Sequence, residues 1–318
     1  MNRFSDISEE AATVDVHQHL WPEALIDALR ARAAPPRMRG WTLELAGEPG
    51  EAIDPAWHDV SLRTEQAVGD GLDLALVSLS SPLGIESLAP EEAADLLEAY
   101  HDGVFALPAP FGGWAAACLG SVDPAALERE LERGFVGLQL PATALLDAGG
   151  YERVGPLLEV VERHGRPLLV HPGPASVVAG GSPAWWPAVV SYVQQMHAAW
   201  FAFRVHGRPA HPGLRVCFAL LAGLAPLHGE RFAARTGDRN VVDEDAFLDV
   251  SSYGTRAIDA TIRVLGIDAL VNGSDRPYAS PVELDLGAAA ANAVRSANPL
   301  RLLKPKEVLH EMAVATRA

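Results

Sequence analysis

The sequence predicts an α/β protein folded as a (β/α)8, TIM-like barrel, and three observations carry that expectation. Short apolar runs alternate with longer amphipathic stretches along the whole 318-residue chain. Eight such runs can be counted, the number that closes a barrel of parallel strands. With 49% hydrophobic and 21% charged residues, the chain has enough apolar material for one sizeable core. Barrels commonly reach this length as a single unit, so residues 1–318 are expected to form one domain.

The elements follow in order. The first strand is read at Thr13 to His17, an apolar run with a β-branched start. A stretch rich in Pro, Gly and Arg, about 33–55, is expected as a long first loop on the active face. The second strand, Leu72 to Ser78, precedes a helix from Pro90 to Leu107 with acidic residues in its first turn. The third strand is placed at Trp114 to Gly120, after which Asp123 can cap a helix reaching Arg133. The fourth, Val136 to Leu140, leads to a helix from Tyr151 to His164 that stops at Gly165. Pro167 to His171 is the fifth. A second insertion, about 173–206, joins a Gly/Pro/Ser loop (Gly173 to Ser182) to a helix carrying Trp185, Trp186, Tyr192, Trp200, Phe201 and Phe203. Aromatic density of that kind marks a buried packing element, a cover over the pocket or a surface that pairs two copies; packing or a homodimer is favoured over substrate binding. Leu214 to Ala219, Ala246 to Val250 and Ala269 to Gly273 complete the strands, and Pro299 to Arg317 is read as a closing helix.

Composition narrows the partners. Twenty-five basic against 41 acidic residues give a net charge of −16, a field that repels phosphate backbones and anionic lipid. Neither nucleic acid nor a membrane is expected as a partner, and no apolar run is long enough to cross a bilayer. Two cysteines, Cys118 and Cys217, lie in apolar stretches, and no leader-like segment precedes Asp15; a reducing, cytoplasmic setting is expected. Gly-x-Gly-x-x-Gly, P-loop and Gly-x-Ser-x-Gly signatures are missing from the sequence, so dinucleotide, phosphate-loop and serine-hydrolase chemistry lack their local motifs.

The chemistry-bearing residues close the strands. In His17-Gln18-His19 the alternation of an extended chain sends both imidazoles to one side, spaced as two ligands of one metal require. His171 ends the fifth apolar run, and Asn272-Gly273-Ser274-Asp275 places a carboxylate just beyond the eighth. Three imidazoles and one carboxylate at one rim suit a single borderline divalent cation, zinc first.

In that order these motifs resemble the metal-dependent amidohydrolase superfamily. More narrowly, the chain is similar to the branch holding aminocarboxymuconate-semialdehyde decarboxylase and related aromatic-acid decarboxylases and hydrolases. The resemblance runs from Val14 to about Pro277. It implies a barrel of the metal-dependent hydrolase type with one metal rather than two bridged by a carboxylated lysine, in keeping with Gln139 on the fourth strand. It also implies that His17, His19 and His171 bind the metal and that Asp275 contacts it. One departure stands out. Family members carry a histidine after the sixth strand, then a Gly-rich turn, a Pro and an Arg five residues beyond it. Here Gly223, Pro226 and Arg231 are kept, but Leu220 occupies the histidine's place. Leucine neither exchanges a proton nor stabilises negative charge, so the family's usual acid/base chemistry is expected to be altered.

Asp275 is the first candidate to take over as catalytic acid/base, accepting a proton from metal-activated water. Arg231 and Arg276 are candidate substrate-carboxylate hooks, Trp21 is a candidate apolar wall, and Arg37 and Arg39 are further possible clamps. The function expected is attack of metal-activated water on a small carbonyl-containing substrate. The alternatives are non-oxidative decarboxylation of an aromatic or enoic acid, and a catalytically altered barrel that binds a small molecule.

Overall fold

Among the described residues, eleven strands form in chain order: β1 (Val14–Gln18), β2 (Arg37–Arg39), β3 (Thr42–Glu44), β4 (Glu51–Ala52), β5 (Leu74–Val77), β6 (Phe111–Gly113), β7 (Leu138–Pro141), β8 (Leu168–His171), β9 (Val216–Phe218), β10 (Ala246–Asp249) and β11 (Leu270–Val271). They are seen in a computed structural model that describes residues 12–175, 183–239, 242–281 and 283–304. Two parallel sheets, β1-β5-β6 and β7-β8-β9-β10-β11, meet along two seams. At one, Ala115 bridges Leu138 and its N–H reaches the Gly137 carbonyl at 2.9 Å. At the other, the Val16 N–H reaches Asn272 O at 2.9 Å and the Asn272 amide donates to Val14 O at 2.9 Å. Closure of eight parallel strands makes the predicted barrel.

The barrel interior is a separate apolar layer of Val14, Val16, Leu76, Trp114, Leu169 and Phe247, all buried. Residues of alternate pleat, such as Ala75, Leu168, Val170 and Leu248, pack outward against the helices. Those helices are α1 (Glu23–Ala31), α2 (Val60–Gly69), α3 (Pro90–Ala106), α4 (Pro124–Arg133), α5 (Ala148–Arg163), α6 (Tyr192–Ala202), α7 (Arg208–Ala210), α8 (Gly229–Thr236), α9 (Thr255–Leu265), α10 (Ala288–Asn292) and α11 (Asn298–Leu303). Side-chain caps start several of them where the sequence offers an Asp: Asp59 before α2, Asp123 before α4 and Asp147 before α5.

Several expectations need correction. The third strand lies at Phe111–Gly113, upstream of the predicted Trp114 to Gly120. The run Trp114-Ala115-Ala116-Ala117 is apolar because it is buried, and of the two glycines that make the strand look weak Gly113 is packed tightly: a Cβ there would sit 2.4 Å from Val104 Cγ1. The first insertion is no irregular loop, since β2-β3-β4 form an antiparallel sheet within it. The aromatic helix is only part-buried. Met196, Ala199, Ala202 and Phe203 face the core, whereas Trp185 is 55% exposed. Five-residue π turns, Pro187–Ser191 and Phe203–Gly207, flank α6. Of the predicted closing helix, Asn298–Leu303 forms and Lys304 ends it in extended backbone; residues 305–317 of the prediction and residues 176–182 of the second insertion lie outside the described residues.

Candidate metal centre

A bulge in β1 aims the first two ligands. Asp15 pairs with Ala75 and Gln18 with Val77, so Val16 and His17 together oppose the single residue Leu76. Strict alternation would turn His17 away from the face of Val14 and Val16; the extra residue turns it back, a use of bulges common beside active sites. Asp15 and Gln18, on the other face, anchor the strand end. The buried Asp15 carboxylate accepts from the His17 and Ser274 N–H groups and from Gln18 Nε2 at 3.1 Å. Burial, the largest influence, drives its pKa up to about 6 despite those bonds.

The four predicted ligands converge. His17 Nε2 lies 3.2 Å from His19 Nε2, which lies 3.2 Å from His171 Nε2. Asp275 Oδ1 is 3.2 Å from His19 Nε2 and 3.7 Å from His17 Nε2, and one donor atom from each residue falls within 4.8 Å of all the others. Asp275 reaches the cluster because it adopts φ 56°, with its N–H and that of Ser274 both donating to His17 O. A non-glycine residue held left-handed at such a point is strain kept at a functional position. Gly273 serves the same approach: a Cβ there would stand 2.8 Å from Asp249 Cβ.

Each imidazole is tied from behind through Nδ1. His17 pairs with Asp249 Oδ2 at 2.7 Å, His19 meets Ser78 O at 3.0 Å, and His171 meets Pro172 O at 2.8 Å. Acceptors at all three Nδ1 atoms fix the proton there and leave each Nε2 lone pair facing inward. This is the fit test for a cation. Four of the six donor–donor distances, 3.2–3.7 Å, lie near the roughly 3.3 Å edge of a tetrahedron with bonds of about 2.0–2.1 Å, and all six fall within 4.8 Å. Without a cation, the proton count must adjust. Burial opposes charge on His17, but Asp249, Asp275 and Asp15 outweigh it and raise its pKa to about 9. Burial drives His19 and His171 the other way, toward the neutral form. Burial would raise Asp275 too, yet the hydrogen bond from His19 and the surrounding imidazoles hold it down to about 2.

Asp249, which the sequence reading passed over, is central to this arrangement. Its Oδ1 accepts from the Leu220 N–H at 3.1 Å, the Ser251 N–H at 3.0 Å and Ser251 Oγ at 2.5 Å, while Oδ2 holds His17. The available signal was an acid closing the apolar run Ala246-Phe247-Leu248, as His171 closes its own. Arg63 was missed as well. Fully inside α2, it donates from Nη1 to His19 O at 2.7 Å and to Trp57 O at 2.9 Å, and from Nη2 to Gln18 Oε1.

Leu220 does stand at the exit of β9, and it opens a run in which five successive residues, Leu220 to Leu224, have φ between 47° and 60°. Left-handed backbone costs a non-glycine residue on the order of 1 kcal/mol. Only at Gly223 does the turn have the residue that this geometry favours, and a Cβ there would come within 2.5 Å of Val193 O on α6. Burial of Leu220, Leu221, Ala222 and Ala225 offsets the strain.

The remaining candidates are not brought to the cluster in the roles expected. Trp21 is buried behind His19, its Nε1 donating to Ser80 Oγ at 2.8 Å and its indole stacked on His58. Arg231 is exposed on α8. Arg37 and Arg39 are spent inside the β2-β3 hairpin and on α1, on Glu44 and on the Arg30 and Arg32 carbonyls. Arg276 pairs with Asp70 at 2.7 Å, one residue from the cluster. His197 and His228 pack edge to face, with ring centroids 4.9 Å apart, and His101 accepts the Ala116 N–H; these are structural positions.

No protein-family model matches the sequence, and no curated protein matches it. Solved structures do. IDCase from Metarhizium anisopliae superimposes with a TM-score of 0.74 at 18% identity, covering 92% of this chain and 97% of that one. A 5-carboxyvanillate decarboxylase from Novosphingobium aromaticivorans, complexed with manganese and 4-hydroxy-3-methoxy-5-nitrobenzoic acid, gives 0.67 at 18% identity over 93% and 97%. The 4-oxalomesaconate hydratase LigJ from Rhodopseudomonas palustris gives 0.66 at 15% over 96% and 100%. Over 92–96% of its length, this chain therefore has the TIM-barrel fold shared by this IDCase, this decarboxylase and this hydratase.

Proposed function

We propose that the protein is a metal-dependent carboxy-lyase that removes carbon dioxide, without oxidation, from a small aromatic or enoic acid. The observation that carries the reading is the four-donor cluster of His17, His19, His171 and Asp275 with every Nδ1 anchored from behind, on a fold shared with decarboxylases. Those four residues would hold one divalent cation. Manganese is the ion in the structurally similar decarboxylase, while the His3Asp donor set also suits zinc. A bound cation supplies Lewis-acid charge against a substrate oxygen.

The chain's own groups do the rest. Asp249 and Asp15 hold the end of β1 so that His17 and His19 keep their ligand orientation. Asp275, kept ionised, serves first as a ligand, and as the cluster's carboxylate it is also the group proposed to relay a proton to the product carbon. The β9 side offers no exchangeable proton on a side chain at residue 220. Water-based attack on a carbonyl is the second reading, favoured by the same Asp275 beside the cation site.

Two measurements test the proposal. Metal analysis of chain purified without chelator should find about one equivalent of divalent metal. Metal-loaded protein should then release carbon dioxide from one or more members of a panel of aromatic and enoic acids. Acid release from lactones or amides instead would replace decarboxylation by hydrolysis, and a chain that takes up no metal would overturn both.

A further inference from the structure

Beside the metal centre, a cavity of about 460 Å³ opens between α2 and residues 276–280. Its size is that of a small-molecule pocket and far beyond a single ion or water. Trp57, Leu62 and Pro277 give it an apolar side, and Arg63, Gln66 and Arg276 a polar one; none of the four clustered donors lines it. The two guanidiniums are unusual. Arg63 is only 2% exposed, and both of its Nη groups donate to carbonyl or amide oxygens rather than to a carboxylate. Arg276 has one carboxylate partner, Asp70. The Nε atoms of both residues are buried with no acceptor among the described residues. Unsatisfied buried donors are costly, and those on charged groups cost the most. Glu65, exposed on α2, is the acidic residue of the lining.

We infer that this cavity is a binding site for an organic monocarboxylate with a flat apolar body, its carboxylate taken by the part-exposed guanidinium of Arg276 with the buried Arg63 cation behind it, and its body lying between Trp57, Leu62 and Pro277. A carboxylate there would offset two positive charges that share one carboxylate partner, Asp70, among the described residues. A bare inorganic anion would leave the apolar wall uncovered. The site does not rest on the metal-centre reading, because it shares no lining residue with that cluster.

Calorimetric titration of the full chain with sodium benzoate, with and without added divalent metal, tests the inference. Benzoate should bind both forms with a Kd on the order of 1 mM or tighter, and acetate, which lacks the flat body, should bind more weakly. Arg276→Gln should weaken benzoate about tenfold or more. Asp70→Asn, which frees Arg276 from its partner, should tighten it several-fold. Opposite shifts from two members of one ion pair are not expected of a residue that only stabilises the loop. Binding confined to the metal-loaded form, equal affinity in both variants and the parent, or no heat up to about 20 mM benzoate would each overturn it.

Discussion

The ends of β1 and β9 lie on the same rim and are joined through one carboxylate, yet they are built in opposite ways. At β1 a bulge delivers two imidazoles, and Asp249 fixes the nearer one through Nδ1. At β9 the same Asp249 receives only the backbone N–H of Leu220, and the chain winds through a left-handed turn of mostly non-glycine residues. The β1 side keeps every polar atom of its ligands engaged, so it can present a rigid donor set. The β9 side contributes shape and an apolar wall, with no side-chain group to move a proton.

The largest effect that could break this contrast is loss of a ligand. His171→Ala should reduce bound metal from about one equivalent to less than a tenth after dialysis, read by elemental analysis; retention of a full equivalent would place the ion elsewhere. Leu220→His tests the β9 side directly. An imidazole there should raise carbon dioxide release by on the order of 100-fold on an acid that the parent turns over slowly, since a positioned acid/base contributes about that much or more. An unchanged rate would mean that Asp275 already suffices. Asp249→Asn probes the shared carboxylate and should weaken metal affinity by about 10–100-fold in a chelator competition, because His17 loses the acceptor that fixes its tautomer.

A last effect, on stability rather than on the metal, concerns the 3-10 turn Ile85–Ser87 beyond β5. Glu86 is buried, accepts from Ser81 Oγ and has no partner for Oε2 among the described residues, and burial lifts its pKa to about 7. Its folded pKa exceeds the ordinary 4.5, so the native state holds a proton that the unfolded chain has released. Stability should therefore fall as pH rises from about 4.5 to about 7 and level off above, by at most about 3 kcal/mol. Glu86→Gln should flatten that slope in denaturant titrations at pH 5 and pH 8; an undiminished slope would assign it to another group.

Much of this was legible in the chain. The apolar runs at β1, β5, β7, β8, β9 and β10 are short and bounded, and the residues that close β1 and β8 are the ligands, because a strand's end at the barrel rim is also where its sequence leaves the core. The third strand was misplaced because Gly112 and Gly113 carry no apolar signal of their own, although the barrel packs against Gly113. Asp249 was missed because one acid after an apolar run looks like an ordinary strand end until its partners are known.

The sequence by itself determined the barrel, the four donors and the absence of an imidazole at residue 220, since these depend on residue type and spacing along one strand at a time. Only the tertiary structure decided that the β1 bulge turns His17 inward, that Asp249 serves both strand ends, that Arg37, Arg39 and Trp21 are occupied away from the cluster, and that Arg63 and Arg276 face a common cavity. Those facts depend on register between strands and on contacts between residues as far as 232 positions apart, which no local pattern encodes.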